Sequence, residues 1–289
     1  MGHGPASPLQ WFMPLVEVIV LGIVQGLTEF LPISSTAHLA VIPWLFGWPD
    51  PGLSYDIALH VGTLAAVLLY FFRDWVQIIG QALGISVEAD PVLQRNRGLL
   101  WLLIAGTIPA ALAGLIFQKQ AETTLRTPNV IGAMMIAIGL VLWLAERAGR
   151  RQKDLSHLSF VDSLSVGVAQ ALAVVPGVSR SGITIAAGLF RNLDRPSAAR
   201  FSFLLSTPVI AGAAAKDLWD LVRHEGGIPP EMRPAFLIGM AVSAVVGGLT
   251  IKFFLDYLKR RDLTCFVLYR LIFGIMIIAL AHFFRYSGG

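Results

Sequence analysis

Apolar positions in this chain run in long blocks rather than alternating with polar ones. Six blocks reach the roughly 20 residues that a membrane-spanning helix needs. They cover 54–73, 98–118, 128–147, 201–219, 235–256 and 265–285. Two further apolar regions, 11–47 and 160–190, are interrupted by Pro32 and Pro176 among small and polar residues. Proline removes a backbone donor and clashes with the preceding turn, so each region predicts a broken helix.

The pattern repeats. Pro32 and Pro176, Ser35 and Ser179, Thr63 and Thr207, and Trp75 and Trp219 are each separated by 144 positions. Gly114 and Gly248 follow at a separation of 134, because the loop after Trp75 is longer than its counterpart. An ordered series of this kind predicts a duplication. Residues 10–157 form the first repeat and 158–289 the second, within one membrane domain. Each half reads as a broken segment followed by three spans. If the broken segment enters and leaves on one side, three crossings turn the second half upside down. The expected fold is therefore all-α and integral to the membrane, with two inverted repeats, each a re-entrant helical hairpin plus three transmembrane helices.

Composition agrees with the hydropathy. Of 289 residues, 55% are hydrophobic and 14% charged, which excludes a pair of soluble domains. The formal net charge of +4 does not point to nucleic acid. Its basic residues fall in interhelical clusters: Arg147, Arg150, Arg151 and Lys153; Arg191, Arg195 and Arg200; Lys259, Arg260 and Arg261. Such short basic loops face the cytoplasm. Placing 147–160 inside also puts 74–97, 191–200 and 257–264 inside. The loops 119–127 and 220–234 and both termini then lie outside. The single cysteine, Cys265, rules out an internal disulfide and a thiolate cluster. The opening MGHGPASP has no signal-peptide character.

Ionisable groups within apolar segments are costly and mark function. In the first broken segment, GIVQGLTEFLPISSTAHL, Gln25 and Glu29 lie about 40° apart on one helix face. Gly22 and Gly26, near that face, permit close approach of another helix. After Pro32, Ser34, Ser35 and Thr36 suit the start of a new helix, whose free N–H groups attract an anion. His38 stands on its first turn. In the second segment, GVAQALAVVPGVSRSGIT, Gly177, Ser179, Arg180, Ser181 and Thr184 offer donors suited to phosphate oxygens.

The first turn thus supplies a carboxylate, a nucleophile and an imidazole, and the second supplies cationic and neutral donors. This division predicts phosphoryl chemistry on a lipid. Glu29, Ser35, His38 and Arg180 are the expected catalytic residues. Gln25, Ser34, Thr36, Gly177, Ser179, Ser181 and Thr184 are the expected substrate ligands. Either Ser35, activated by Glu29 or His38, or His38 itself is the attacking group. Asp56 and His60 begin a span, where a boundary position is the default expectation. Tryptophans flanking the apolar blocks read as interfacial anchors.

Both motifs resemble those of the undecaprenyl-diphosphate phosphatase family, the bacitracin-resistance phosphatases of bacterial inner membranes. The first signature is matched by Gln25, Glu29, Pro32, Ser34, Ser35, Thr36 and His38. The second is matched by Pro176, Gly177, Ser179, Arg180, Ser181 and Thr184. The resemblance spans essentially the whole chain. It implies removal of the terminal phosphate of undecaprenyl diphosphate, which recycles the lipid carrier for peptidoglycan synthesis. It also implies an active site opening to the outer face and a divalent cation, Mg²⁺ or Ca²⁺. Some members carry Glu where Gln25 stands, and one fewer carboxylate favours a cation carried by the diphosphate, with Glu29 as its protein ligand. The expected partners are the polyprenyl diphosphate and membrane lipids; a homodimer is left open. A lipid flippase with the same inverted repeats is the competing class, and a carrier needs no nucleophile beside a base. A membrane scaffold leaves the intramembrane charges unexplained.

Overall fold

A computed structural model describes residues 13–85, 87, 89–224 and 228–287. The N-terminal readings, Trp11 among them, lie outside the described residues, and so do the last two positions. The chain is helical throughout: α1 (Leu15–Thr28), α2 (Ser35–Phe46), α3 (Leu53–Tyr70), α4 (Phe72–Ala82), α5 (Pro91–Gln94), α6 (Leu99–Glu122) and α7 (Pro128–Ala148) are followed by α8 (Phe160–Ala171), α9 (Arg180–Phe190), α10 (Arg195–His224), α11 (Arg233–Leu258) and α12 (Thr264–Ser287). Among the described residues the only strand-like pairing is an isolated bridge between Lys153 and Leu193.

Five of these helices, α6, α7, α10, α11 and α12, are long and apolar enough to cross a membrane. Taking α3 with α4 gives a sixth, but the two are bent by 69° at their junction. The apolar block 54–73 therefore ends earlier as a straight helix than its composition predicts. The cause lies in α4. Phe72, Val76, Ile79 and Leu83 all stand exposed along one face, while Gln77, Ile78 and Gly80 are buried on the other. One greasy and one anchored face suit a helix to a membrane interface better than to a crossing.

Outward faces carry large apolar side chains, such as Trp101, Leu115, Leu249 and Ile272, which is the surface hydrocarbon requires. Inside, a continuous core runs from Phe30 through Phe203 to Phe254. Phe30, in the turn after α1, meets the Phe203 ring edge-on at 5.4 Å, which fixes the turn against α10.

The broken segments pack reciprocally. α1 lies along α11, and α8 lies along α6. Glycine permits both contacts. A Cβ on Gly26 would fall 2.7 Å from the Val246 side chain, and one on Gly167 would fall 2.2 Å from the Gly106 carbonyl oxygen. α3 packs on α11, and α7 on α12.

Ion pairs gather the basic loops at one end of the bundle. Arg200 binds Asp74 and Asp90; Glu146 binds Arg151 and Arg195; Asp162 binds Lys153 and Arg191. Arg151, Lys153, Arg191, Arg195 and Arg200, half of the ten residues in the basic clusters, are therefore paired with carboxylates from neighbouring elements.

Candidate active site

The site is made where the two broken segments meet. In each, a proline-containing turn ends on a serine that caps the next helix with its backbone in the left-handed region, φ +74° at Ser34 and +69° at Ser179. That conformation is unusual for a residue with a Cβ and marks a turn held by its surroundings. By position at the start of a helix, Ser179 matches Ser34, whereas spacing counted from the prolines pairs it with Ser35. Gly22 with Gly167 and Gln25 with Gln170 fall into the same spacing, one longer than that of the two prolines. The slip is absorbed inside the turns.

Glu29 is the centre. It follows the last turn of α1 and is almost fully buried. Arg180 Nη2 donates to its Oε1 at 2.5 Å. Ser35 Oγ donates to its Oε2 at 2.6 Å, and Gln25 Nε2 donates to the same oxygen at 3.0 Å. His60 Nε2 lies 3.5 Å from Oε2. One carboxylate therefore joins a serine of the first motif to the arginine of the second. A carboxylate 2.6 Å from a hydroxyl can take its proton, and the arginine adjoins with fixed positive charge. The second guanidinium nitrogen, Nη1, is buried without a protein partner among the described residues.

Further bonds tie the turns together. Gly177 N–H donates to Thr36 Oγ1 at 3.4 Å, and Ser181 Oγ donates to the Leu31 carbonyl at 3.0 Å. Arg270, wholly buried on α12, reaches both turns at once. It donates to the carbonyls of Pro32 at 3.1 Å, Gly177 at 3.0 Å and Val178 at 3.1 Å, and to those of Met134 and Met135 on α7. Gly177, with φ +92°, presses on Ile131, where a Cβ would sit 2.5 Å from a carbonyl oxygen.

A cavity of about 380 Å³ opens over this arrangement. Glu29, Ser34, Ser35, Thr36, Ser179 and Arg180 line it, so six of the expected site residues share one space. The remaining five do not line it. Gln25 lies behind Glu29. Gly177 and Ser181 brace the two turns against each other, and Thr184 Oγ1 pairs with Ser202 Oγ at 2.6 Å.

His38 turns away from the cavity. Its Nδ1 lies 2.7 Å from the Ser34 carbonyl, which can only accept, so Nδ1 is the donor. In a neutral ring Nε2 then accepts from the Tyr269 hydroxyl at 2.5 Å, and the imidazole stacks on Phe273 at 4.5 Å.

Two residues expected at a membrane boundary, Asp56 and His60, also line the cavity. Arg126 lies 3.4 Å from Asp56 and lines the cavity beside it. Asp56 and His60 are four apart on α3, a spacing that places both on one face and was the available signal. Arg270 also escaped sequence reasoning. A lone arginine in an otherwise apolar span was signal enough.

Among the described residues no group of three His, Cys, Asp or Glu could hold an ion. Both oxygens of Glu29 are already engaged.

Comparison with known proteins gives a consistent answer. A family model described as bacitracin resistance protein BacA matches residues 18–276. The undecaprenyl-diphosphatase of Moorella thermoacetica is 48% identical over 267 residues, covering 92% of this chain and 98% of that protein. The undecaprenyl-diphosphatase of Pelotomaculum thermopropionicum is 45% identical, covering 93% of this chain and 97% of its own. That of Desulforudis audaxviator is 46% identical, covering 92% and 97%. Matched across nearly its whole length, with both turn motifs meeting on Glu29, the chain belongs to the bacitracin resistance protein BacA family.

Proposed function

We propose that this multi-pass membrane protein hydrolyses undecaprenyl diphosphate to undecaprenyl phosphate and inorganic phosphate, returning the lipid carrier to cell-wall synthesis. The observation that carries the reading is the bridge through Glu29, with Ser35 on one oxygen and Arg180 on the other. Ser35 Oγ attacks the terminal phosphorus while Glu29 accepts its proton. The bond from that phosphorus to the bridging oxygen breaks, and lipid monophosphate leaves. Water then attacks the phosphoserine; the proton on Glu29 returns to Ser35, and inorganic phosphate departs. Arg180 Nη1, with Ser34, Thr36 and Ser179, holds the phosphate oxygens as charge moves across them. The attacking group is Ser35 rather than His38, because the His38 ring nitrogens are engaged outside the cavity. A divalent cation enters only as a counterion of the diphosphate, and no step depends on it.

The cavity's apolar wall suits the prenyl chain. Ala110 and Gly114 of α6 face Ile210 and Ala214 of α10 across it. Its lining also includes Arg126 and Asp217, and the second of these lies near the loop 220–234, whose two arginines are outnumbered by three acidic residues. This supports an opening toward the outer face of the bacterial inner membrane, with both termini on that side. Reciprocal packing of α1 on α11 and α8 on α6, with a positive-φ serine at the N-cap position of α2 and of α9, supports the inverted repeat and its re-entrant hairpins.

The test is phosphate release from purified protein given undecaprenyl diphosphate. Ser35→Ala is expected to lower kcat on the order of 10³-fold or more. Acid-quenched wild-type protein should yield phosphoserine at Ser35 by mass spectrometry. Near-normal turnover by a folded Ser35→Ala protein defeats the mechanism.

A further inference from the structure

Gln170 is the second repeat's copy of Gln25, and the two have different surroundings. Gln25 donates to Glu29, four residues on. The residue four beyond Gln170 is Val174, so the partner carboxylate is missing from the second copy. Gln170 is nonetheless 2% exposed, and both its Nε2 and its Oε1 lack a protein partner among the described residues. It lines the same cavity as Arg180 and Ser179, set among Ala171, Ala173 and Val174. A buried amide in an apolar wall is costly unless something meets it.

Resting on the hydrolase reading, we infer that Gln170 is a substrate ligand whose Nε2 donates to a non-bridging oxygen of the diphosphate. The chemistry fits, since phosphate oxygens accept and the amide nitrogen carries two hydrogens to give. Arg180 Nη1, also buried and without a protein partner among the described residues, supplies a charged donor from the same cavity lining. The pair reads the headgroup from the second repeat, while the first repeat carries the attacking serine and its base. A ligand-dedicated amide also makes a prediction opposite to that of a packing residue. Removing it should leave the substrate-free fold unharmed.

Gln170→Met keeps the length and shape of the side chain but deletes its polar atoms. In detergent without substrate, this variant should melt at the wild-type temperature or above. Its kcat/KM on undecaprenyl diphosphate should fall about tenfold to a hundredfold. Gln170→Glu replaces the donor by a negative acceptor and should be worse than Met. A Met variant within twofold of wild-type efficiency overturns the inference. So does one that melts several degrees lower, because the amide would then serve the fold. Higher activity in the Glu variant than in the Met variant overturns the donor role. Absence of phosphate release by the wild-type protein is a separate result, which removes the hydrolase reading itself.

Discussion

His38 shows how far residue type and spacing carry, and where they stop. A histidine on the first turn of a helix beside Ser35 has the right position in sequence for a base or a nucleophile. Residues 35 and 38 nevertheless point to different sides of α2: Ser35 meets Glu29, and His38 meets Tyr269 and Phe273 of α12. Its structural work is to hold the Ser34 carbonyl, and through it the left-handed cap. His38→Gln should therefore retain turnover within about tenfold of wild type, on the scale of one hydrogen bond. Steady-state phosphate release measures this, and a loss comparable to that of Ser35→Ala would return His38 to the reaction. His60 makes the converse case. It was expected at a span boundary because it opens an apolar block, but only the fold brings α3 beside the first turn and sets it 3.5 Å from Glu29. Arg270 is similar. Its five carbonyl acceptors come from three separate stretches of chain, and none is a sequence neighbour.

At the scale of elements, the apolar blocks were legible because a span must satisfy its own backbone and hide it from lipid. Blocks 98–118, 128–147, 201–219, 235–256 and 265–285 all correspond to long helices. The bend after Tyr70 was not legible from mean hydropathy, since α4 is apolar on one face only. Spacing from the prolines pairs Ser35 with Ser179, whereas the helix starts pair Ser34 with Ser179, because sequence alone does not show which serine opens the helix. Glycines were ambiguous too, since sequence cannot tell a crossing from open space. Gly167 is a crossing, with the Gly106 carbonyl where its side chain would be, whereas Gly248 has nothing within 4 Å of an added Cβ. Gly167→Ala should separate α8 from α6 and destabilise the protein by about 1–3 kcal/mol or more, with matching loss of activity as the second turn shifts. Gly248→Ala should leave the melting temperature unchanged or raise it slightly, as removal of a mid-helix glycine does. Thermal melts of both variants in one detergent decide the matter, and equal behaviour would mean that the α6–α8 contact is not tight.

For the whole molecule, the question is whether the cavity can face both sides. A carrier must open its second end, and here that end is held by ion pairs drawn from four helices and the loops between them. Arg200 spans from α10 to Asp74 and Asp90, and Glu146 at the end of α7 takes Arg151 and Arg195. Asp90, outside the spans, shows the balance: burial pushes its carboxyl up, but the Arg200 hydrogen bond and the Val92 N–H more than offset this and hold it below its usual 3.8. A depressed carboxyl stabilises the fold above its unfolded value and loses that contribution only as pH falls through the folded one, so the Asp90–Arg200 pair is fully formed at neutral pH. Opening it would uncover several partly buried charges together, each left without its partner. Hydrolysis needs no such opening, because the water, the lipid headgroup and the released phosphate can all pass by the Arg126 end. The expectation is therefore a sided enzyme. In vesicles with the Arg126 end outward, undecaprenyl diphosphate confined to the outer leaflet should be consumed, while the same lipid confined to the inner leaflet should persist. The Ser35→Ala protein should move no labelled lipid diphosphate between leaflets during the time in which wild type consumes the outer pool. Transfer at that rate would show that the ionic end opens, and the molecule would then be a carrier that also cuts its cargo.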